Sequence, residues 1–322
     1  MSNLGQDKTS CAADSVRTGD MPLKPGISCG CTRISFVIPA YNEGEKVGTV
    51  LSELSANFPD HEILLVDDAS TDNTAEVAGQ LSAVRVLRHN KNRGPGGAIK
   101  TGISNASGDF IVIVDADGQH PIEEIRKVVD CISEYPEIDA VLTHRNNIYS
   151  SGTLRSLGKL LINFVVRQLT NEEIKDNNCG LRAFRREKIA PFLFLLPDGF
   201  SYVTTSTVLA HKEDFSIRWI DIRMQKRESG KSRLRMRDGV NTLLLVFRLI
   251  VVFDPMKFFT PLAIFSFFVG ILSIIYNWFY YGGPGKNYIF FFLFGSLVFV
   301  LGLLSEQIAV LRKELLNLQS RK

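Results

Sequence analysis

The stretch Phe110-Ile111-Val112-Ile113-Val114-Asp115-Ala116-Asp117-Gly118-Gln119-His120-Pro121 decides how this chain folds. Its apolar run has no polar alternation, so it reads as a strand buried on both faces of a sheet. Pro121 suits the first turn of a following helix, where its missing N–H costs nothing. Asp115, Asp117, Gln119 and His120 then fall at the carboxyl end of a core strand, the edge at which open α/β sheets bind ligands. Hard oxygen donors suit Mg²⁺ or Mn²⁺, ions that commonly carry substrate phosphates. The plainer alternative is a polar strand end whose aspartates cap the next helix.

The flanking sequence repeats the pattern. Arg33-Ile34-Ser35-Phe36-Val37-Ile38-Pro39-Ala40-Tyr41-Asn42-Glu43-Gly44 is a strand and a turn, and Val47, Val50, Leu51 and Leu54 give helical spacing over 45–58. Glu62-Ile63-Leu64-Leu65-Val66-Asp67-Asp68 is a second buried strand, with Ser70 or Thr71 expected to cap a helix reaching about Leu81. Val84–Leu87 is a short third strand, and Asn90-Lys91-Asn92-Arg93-Gly94-Pro95-Gly96-Gly97 a glycine-rich loop entering a helix from Ala98 to Asn105. After the opening stretch come a helix over 121–133 and a strand at Asp139–Thr143. Such alternation implies an α/β fold, a mostly parallel sheet covered on both faces. Three strands end in Asn42-Glu43, Asp67-Asp68 and Asp115 with Asp117. Acids gathered at one edge repel, and a metal with a polar ligand would resolve that repulsion. No G-x-G-x-x-G follows the first strand, and Gly94-Pro95-Gly96-Gly97 lacks the Lys-Ser/Thr ending of a Walker loop. Both simple nucleotide-binding matches are thereby excluded.

The composition is that of a folded protein: 322 residues, 45% hydrophobic and 22% charged. A net charge of +3 is too small to argue for nucleic acid. Five cysteines without regular spacing suit a reducing compartment better than a disulfide framework. Cys29-Gly30-Cys31 has no second Cys or His pair nearby and reads as a flexible segment rather than a metal site. Residues 1–32 lack an apolar period and read as a disordered arm. No apolar h-region is present there, so the expectation is no secretory signal and a catalytic part that stays in the cytosol.

The C-terminal third changes character. Arg223, Lys226, Arg227, Lys231, Arg233, Arg235 and Arg237 stand against one acid, Glu228. A solvated basic loop and a surface facing anionic lipid are the alternatives, and the apolar segments after Arg237 favour the second. Val240–Phe253 is apolar with Asn241 and Arg248 interspersed, which suits a helix lying in the membrane interface. Phe258–Tyr281 is long enough to span about 30 Å of hydrocarbon, and Tyr288–Leu304 spans if it runs on to about Leu311. Gly282-Gly283-Pro284-Gly285 turns between them. Lys257, Arg312, Lys313, Arg321 and Lys322 flank the hairpin, while the turn holds only Lys286. The positive-inside rule puts both flanks in the cytosol, and Trp278, Tyr280, Tyr281 and Tyr288 form an aromatic belt near the turn. Gly270, Gly295 and Gly302 offer small-residue faces for self-association into a homo-oligomer. The domain expectation is an arm at 1–32, a catalytic domain at 33–237, an interfacial segment at 238–256, and a transmembrane hairpin with cytosolic tail at 257–322.

Val37-Ile38-Pro39-Ala40-Tyr41-Asn42-Glu43, Val66-Asp67-Asp68-Ala69-Ser70-Thr71-Asp72 and Asp115-Ala116-Asp117-Gly118-Gln119-His120-Pro121 resemble family 2 glycosyltransferases of the GT-A fold. The resemblance is strongest to the dolichol-phosphate mannose synthase group and its polyprenyl-phosphate glucosyltransferase relatives. Thr143-His144-Arg145, the run from Asp176 to Arg186, and Gly230-Lys231-Ser232-Arg233 extend it, so that it covers about Arg33 to Arg237 with the hairpin beyond. It implies that Pro39, Tyr41 and Glu43 line a nucleobase pocket, that Asp68 accepts hydrogen bonds from the base, and that Asp115 lies near ribose or metal. It implies Asp117 and Gln119 as ligands of Mg²⁺ or Mn²⁺, with Asp115 less central. Arg145 would reach the phosphates, with His144 where the family usually has Ser. Arg155 and the Lys231-Ser232-Arg233 loop would hold the acceptor phosphate, and Asp176 would face the acceptor as base or positioner. Cys179-Gly180-Leu181 departs from the commoner Gly-Phe form.

Each of these residues also has a plainer role open to it. Tyr41 could simply pack; Asp67 and Asp72 read as capping or turn groups. His120 stays open between a metal neighbour and a structural group. Arg185 and Arg186 read as surface charge, and Cys179 as a small packed residue with no activating base.

The reading that results is an inverting, metal-dependent hexosyltransferase moving sugar from UDP-glucose or GDP-mannose to a polyprenyl or dolichyl phosphate at the cytosolic leaflet. A processive polysaccharide synthase is a rival, but Phe215 stands where its Gln-x-x-Arg-Trp motif needs Gln before Arg218-Trp219. A non-catalytic membrane-anchored sugar-nucleotide binder is the other rival, and Asp117 with Gln119 argue against it.

Overall fold

A computed structural model describes residues 32–145, 163–170, 179–199, 201–225 and 236–319. The N-terminal arm with Cys29 and Cys31, and the sites expected at Arg155, Asp176, Lys231, Ser232 and Arg233, lie outside the described residues.

The sheet order is β3-β2-β1-β4-β6-β5-β7, built from β1 (Ile34–Ala40), β2 (Glu62–Asp67), β3 (Val84–Arg88), β4 (Phe110–Ile113), β5 (Ala140–Arg145), β6 (Arg182–Arg185) and β7 (Ile217–Ile222). Only β6 runs antiparallel, against both β4 and β5. β1, β2, β4 and most of β5 are buried, as their apolar runs require. One face packs Phe36, Ile38, Leu65 and Val112 against α1 (Gly44–Asn57) and α4 (Ile122–Glu134). The other packs Val37, Leu64, Ile111 and Ile113 against α3 (Pro95–Asn105) and a later helix, Tyr202–Lys212.

Several sequence expectations are corrected. The helix after β2, α2 (Thr74–Gly79), starts later than expected, and neither Ser70 nor Thr71 caps it. Ser70 instead donates its N–H to Asp67 Oδ1 and accepts the Asn42 N–H. Asp67 and Asp72 do act as turn groups: Asp72 accepts N–H bonds from Gly44 and Thr74. Arg185 and Arg186 are not plain surface charge. Arg185 bonds the Ile138 carbonyl, pairs with Asp139 and lies 4.6 Å from the Phe110 ring, while Arg186 bonds the Gly108 carbonyl. Cys179 is buried, with its Sγ accepting from the Thr143 hydroxyl.

Beyond the sheet come a helical stretch at 163–170 (α5), the short α6 (Arg186–Ile189) and α7 (Tyr202–Lys212). Then follow α8 (Met236–Phe253), α9 (Met256–Tyr281) and α10 (Asn287–Gln319). α8 is more than a surface helix, because Leu249 is buried among Val165, Val166, Leu169 and Val208. Asp254 pairs with both Lys212 and Lys257, and Lys257 donates to the Gln168 carbonyl, so the base of the hairpin is fastened to the sheet domain. α9 and α10 are each long and apolar enough to cross a membrane, over Met256–Tyr281 and Asn287–Leu311.

The three small residues expected to drive self-association are used inside the hairpin. A Cβ on Gly270 would meet Phe292, one on Gly295 would meet Phe267, and one on Gly302 would meet Phe259. They let α9 and α10 of one chain approach closely.

Candidate active site

Strand register brings the motif residues to a single edge. β1 pairs with β2 so that Ala40 faces Asp67, and with β4 so that Val37 faces Ile113. Two residues on, Asp115 leaves β4 beside the end of β1. β4 pairs with β6 so that Ile113 faces Arg182, and the residue two before it, Gly180, sits against Asp115. β5 ends at Arg145 on the same side. Pro39, Tyr41, Glu43, Asp68, Asp115, Asp117, Gln119 and Arg145 thus share the carboxyl edge of the parallel strands, where ligands enter such sheets.

The loops at this edge are tied to one another. Asn42 and Ala69 adopt positive φ (55° and 63°), a conformation uncommon for non-glycine residues. The Asn42 side chain accepts the Thr71 N–H at 2.8 Å, and the Glu43 N–H donates to the Thr74 hydroxyl at 2.9 Å. Tyr41 is about half exposed beside them, so it is free to meet a ligand and is not packed in the core.

Asp68 is buried, and its carboxylate organises the glycine-rich loop. Oδ1 accepts the Arg93 N–H at 2.8 Å and Oδ2 the Gly94 N–H at 2.7 Å, while His89 Nδ1 lies 2.7 Å from Oδ1. His89 Nε2 reaches the Thr101 hydroxyl on α3. Gly94 needs its φ of +88°, and a Cβ there would strike the Asp198 carbonyl. His89 was not singled out in the sequence; its position directly after β3, as the acids follow β2, was the available signal.

Around Asp115 the packing is close. His120 is buried, with Nε2 3.3 Å from Asp115 Oδ2, and its Nδ1 has no hydrogen-bond partner among the described residues. Tyr202 at the start of α7 is buried nearby. Burial raises its phenol well above the usual value, and the Asp115 carboxylate adds to this against the opposing charge of Arg182. Nothing in the sequence pattern marks Tyr202. The Gln119 N–H donates to Asp117 Oδ1 at 3.1 Å, and the Gln119 carbonyl accepts from Gln225, tying the turn to the chain after β7. Arg182 is fully buried and donates to the Cys179 and Val203 carbonyls and to Ser206 Oγ, which fixes the segment carrying Gly180.

Residues 35–191 match the glycosyl transferase family 2 model, and residues 254–311 match the GtrB C-terminal hairpin model. The chain carries a family 2 glycosyltransferase domain. It is similar to the undecaprenyl-phosphate 4-deoxy-4-formamido-L-arabinose transferase of Yersinia enterocolitica, 29% identical over 261 residues, covering 75% of this chain and 72% of the relative. The enzyme of the same description from Shewanella sediminis is 29% identical over 306 residues, covering 85% and 86%. Among solved structures, glucosyl-3-phosphoglycerate synthase from Mycobacterium tuberculosis, in complex with Mn²⁺, UDP and glucosyl-3-phosphoglycerate, has the same fold. Its TM-score is 0.53 at 20% identity, with 71% of this chain and 85% of that one covered. The glycosyltransferase domain here is therefore the GT-A α/β sheet, followed by two apolar C-terminal helices.

The donor set of the glycosyltransferase domain can be tested against a divalent ion. Asp115 and Asp117 offer carboxylate oxygens at partly exposed positions. Among the described residues no three His, Cys, Asp or Glu side chains converge on one point. That set fits Mg²⁺ or Mn²⁺, which take one or two carboxylates and fill other positions from phosphate and water. It does not fit a closed structural zinc site.

Proposed function

We propose that this chain transfers a sugar from a nucleotide-sugar donor to a polyprenyl phosphate at the membrane surface. The observation that supports this most is the shared edge itself: Asp68, Asp115, Asp117 and Arg145 on one sheet end, in a chain whose following helices are apolar enough to span a bilayer. The relatives bear the name undecaprenyl-phosphate transferase, which supports a lipid phosphate acceptor.

In this reading Pro39, Tyr41 and Glu43 bind the base, with the Asp68-anchored loop forming the wall beside them. Asp115 and Asp117, with Gln119, hold Mg²⁺ or Mn²⁺ on the donor diphosphate. When bound, the ion neutralises charge that develops on the leaving diphosphate. Arg145 adds fixed positive charge at the same place. Arg155, Lys231, Ser232 and Arg233 receive the acceptor phosphate, and Asp176 positions it or takes its proton. A phosphate oxygen is already anionic near neutral pH, so it attacks the anomeric carbon from the far side as the bond to the diphosphate breaks. The configuration inverts and no enzyme-bound sugar intermediate is needed. The catalytic domain and both termini lie in the cytosol, with the 282–286 turn on the far side. The units are the catalytic domain at 33–237, the segment at 238–256 and the hairpin beyond.

The donor is UDP-glucose or GDP-mannose in the hexose reading. The test incubates membranes containing the chain with polyprenyl phosphate and a panel of nucleotide sugars. The panel includes both of these and a nucleotide-linked 4-deoxy-4-formamido-L-arabinose. A glycosylated lipid phosphate identified by mass is expected with one donor. No lipid product with any donor, alongside retained nucleotide-sugar binding, would favour the non-catalytic reading.

A further inference from the structure

One short segment touches both the glycine-rich loop and the helix that precedes the hairpin. It follows α6 and a 3₁₀ turn at Ala190–Phe192 and runs from Leu193 to Gly199. Leu195 and Leu196 are buried in the face of the sheet that α3 and α7 cover. Phe194, directly before them, stands 56% exposed. The two leucines secure the segment, so packing within the domain does not account for the phenylalanine.

Toward α3 the segment gives the glycine-rich loop a second anchor besides Asp68. The Gly97 N–H donates to the Asp198 carbonyl at 3.0 Å. Lys100 on the same helix donates to the Leu196 carbonyl at 3.1 Å and pairs with the Asp198 carboxylate. A Cβ on Gly94 would fall 2.6 Å from the Asp198 carbonyl oxygen, and one on Gly96 would strike that of Pro197. The two backbones therefore lie directly against each other.

Toward α8 the segment is held by Arg248, which donates to the Leu195 carbonyl at 3.2 Å. Beside Arg248 on that helix, Phe247 and Leu244 are exposed, and the Phe247 ring meets Phe258 edge-on at 5.9 Å. Phe258 belongs to the first turn of α9, which is long and apolar enough to cross a membrane. Exposed apolar side chains thus continue from the base of α9 along α8 to Arg248, whose partner Leu195 follows Phe194.

We propose that residues 193–199 form a strap between the bilayer and the glycine-rich loop. Phe194 enters the membrane interface beside α8, and Arg248 and Lys100 carry that fixed position to the loop. The proposal rests on the reading of this loop as a wall of the donor pocket. Its occupant is lipid, because the apolar surface is continuous with a helix apolar enough to span a bilayer. An arginine among exposed phenylalanines also suits the boundary, with charge at the headgroups and rings below them. Arg248 and Lys100 act as positioning residues. Without the strap the loop keeps only its Asp68 anchor, and the loss falls on nucleotide affinity.

The test uses the full chain in phosphatidylcholine–phosphatidylglycerol vesicles, with Mn²⁺ present and UDP and GDP as probes. Phe194→Trp reports location through its emission above that of the parent, which has Trp219 and Trp278. Lipids brominated near the headgroup should quench that increment. Quenching by aqueous iodide and not by brominated lipid overturns the proposal. Arg248→Met and Phe194→Asp should each weaken the nucleotide that the parent binds by about three- to tenfold, the worth of one hydrogen bond. Together they should cost no more than either alone, because both act through one strap. Additive losses, or none, overturn it. Amide hydrogen exchange gives a readout that needs no nucleotide. Both variants should speed exchange over 93–97 while β1 and β4 keep parental protection, and parental exchange over 93–97 counts against the strap. A parent that binds neither nucleotide would refute the donor-site reading, and quenching and exchange would still decide the strap.

Discussion

A Cβ built on Gly180 would fall on the Asp115 carboxylate, 2.8 Å from its Oδ1 and its Cγ. The antiparallel strand β6 therefore delivers a glycine to the place where the parallel strand β4 delivers its acid, and the side chain of Asp115 occupies the space that a larger residue would take.

Gly180→Ala must push Asp115 aside. A shift of about 1 Å in a positioned group costs on the order of 100-fold in rate, so sugar transfer should fall by about that factor with little change in melting temperature. Gly79→Ala, where an added Cβ meets nothing within 4 Å, is the control and should transfer normally. A Gly180→Ala enzyme with parental kcat would show that Asp115 is not held at a reacting position.

Asp117→Ala should abolish transfer that depends on added metal. Chelation should stop the parent enzyme, and Mn²⁺ or Mg²⁺ should restore it; the variant should not recover at any metal concentration. Titration of Mn²⁺ by electron paramagnetic resonance in the presence of the nucleoside diphosphate separates lost binding from lost chemistry. Parental transfer by the variant would move the metal away from this turn.

Much of this edge was legible from residue order. β1, β2 and β4 are largely apolar runs followed by acids, and an apolar run buried on both faces has few other readings. β6 and β7 were not legible. Arg182-Ala183-Phe184-Arg185 opens and closes on arginines, and burial of Arg182 depends on carbonyls from Cys179 and Val203 that only the fold brings near. Ile217–Ile222 is a half-buried edge strand in which Arg218 leaves the sheet to lie 3.6 Å from the Tyr135 ring. The glycines of the hairpin show the opposite error. Their spacing pointed to self-association, whereas the bulky phenylalanines of the partner helix in the same chain need the room they leave.

Acid should loosen the sheet edge and the first loop together. Burial pushes the Glu62 carboxyl up, but hydrogen bonds from Ser107 and Ser35 and the charge of Arg85 outweigh it and hold the group below its usual value. Asp72 is held down in the same sense: burial pushes it up, but the Thr74 hydroxyl and the Gly44 and Thr74 N–H groups together outweigh it. A carboxyl with a lowered folded value binds protons more readily when unfolded. Its stabilisation is therefore complete above the ordinary carboxylate range and is lost as pH falls through the lowered value. Melting temperature should be flat near neutrality and drop below about pH 4, and Glu62→Gln should flatten that drop while lowering the neutral plateau. An unchanged acid limb in Glu62→Gln would assign the loss elsewhere.

Arg182→Met should destabilise the domain by about 2–3 kcal/mol, because the Cys179 and Val203 carbonyls and the Ser206 hydroxyl lose a buried charged donor. Arg182→Lys should recover only part of this, since an ammonium cannot reproduce a planar fork of donors. Denaturant unfolding of the solubilised chain measures both. A lysine variant as stable as the parent would mean that charge, not geometry, is what the site requires.

Asp68 couples the end of β2 to the glycine-rich loop through three contacts, with the Arg93 and Gly94 N–H groups and with His89. Asp68→Asn presents an amide to groups that need an acceptor, so one or two of those bonds must break and the loop loses its anchor. Because the loop forms a wall of the proposed base pocket without touching the reacting atoms, the cost should fall on donor binding. A hydrogen bond to a charged group is worth about 1.5–3 kcal/mol, which corresponds to a rise of about ten- to a hundredfold in donor KM. kcat should change much less, the pattern of lost uniform binding. His89→Ala should give a smaller shift in the same direction, since both backbone bonds survive. Steady-state kinetics across donor concentrations resolve the two parameters. If kcat fell while KM held, Asp68 would belong with Asp115 and Asp117 at the reacting diphosphate, not with the wall of the pocket.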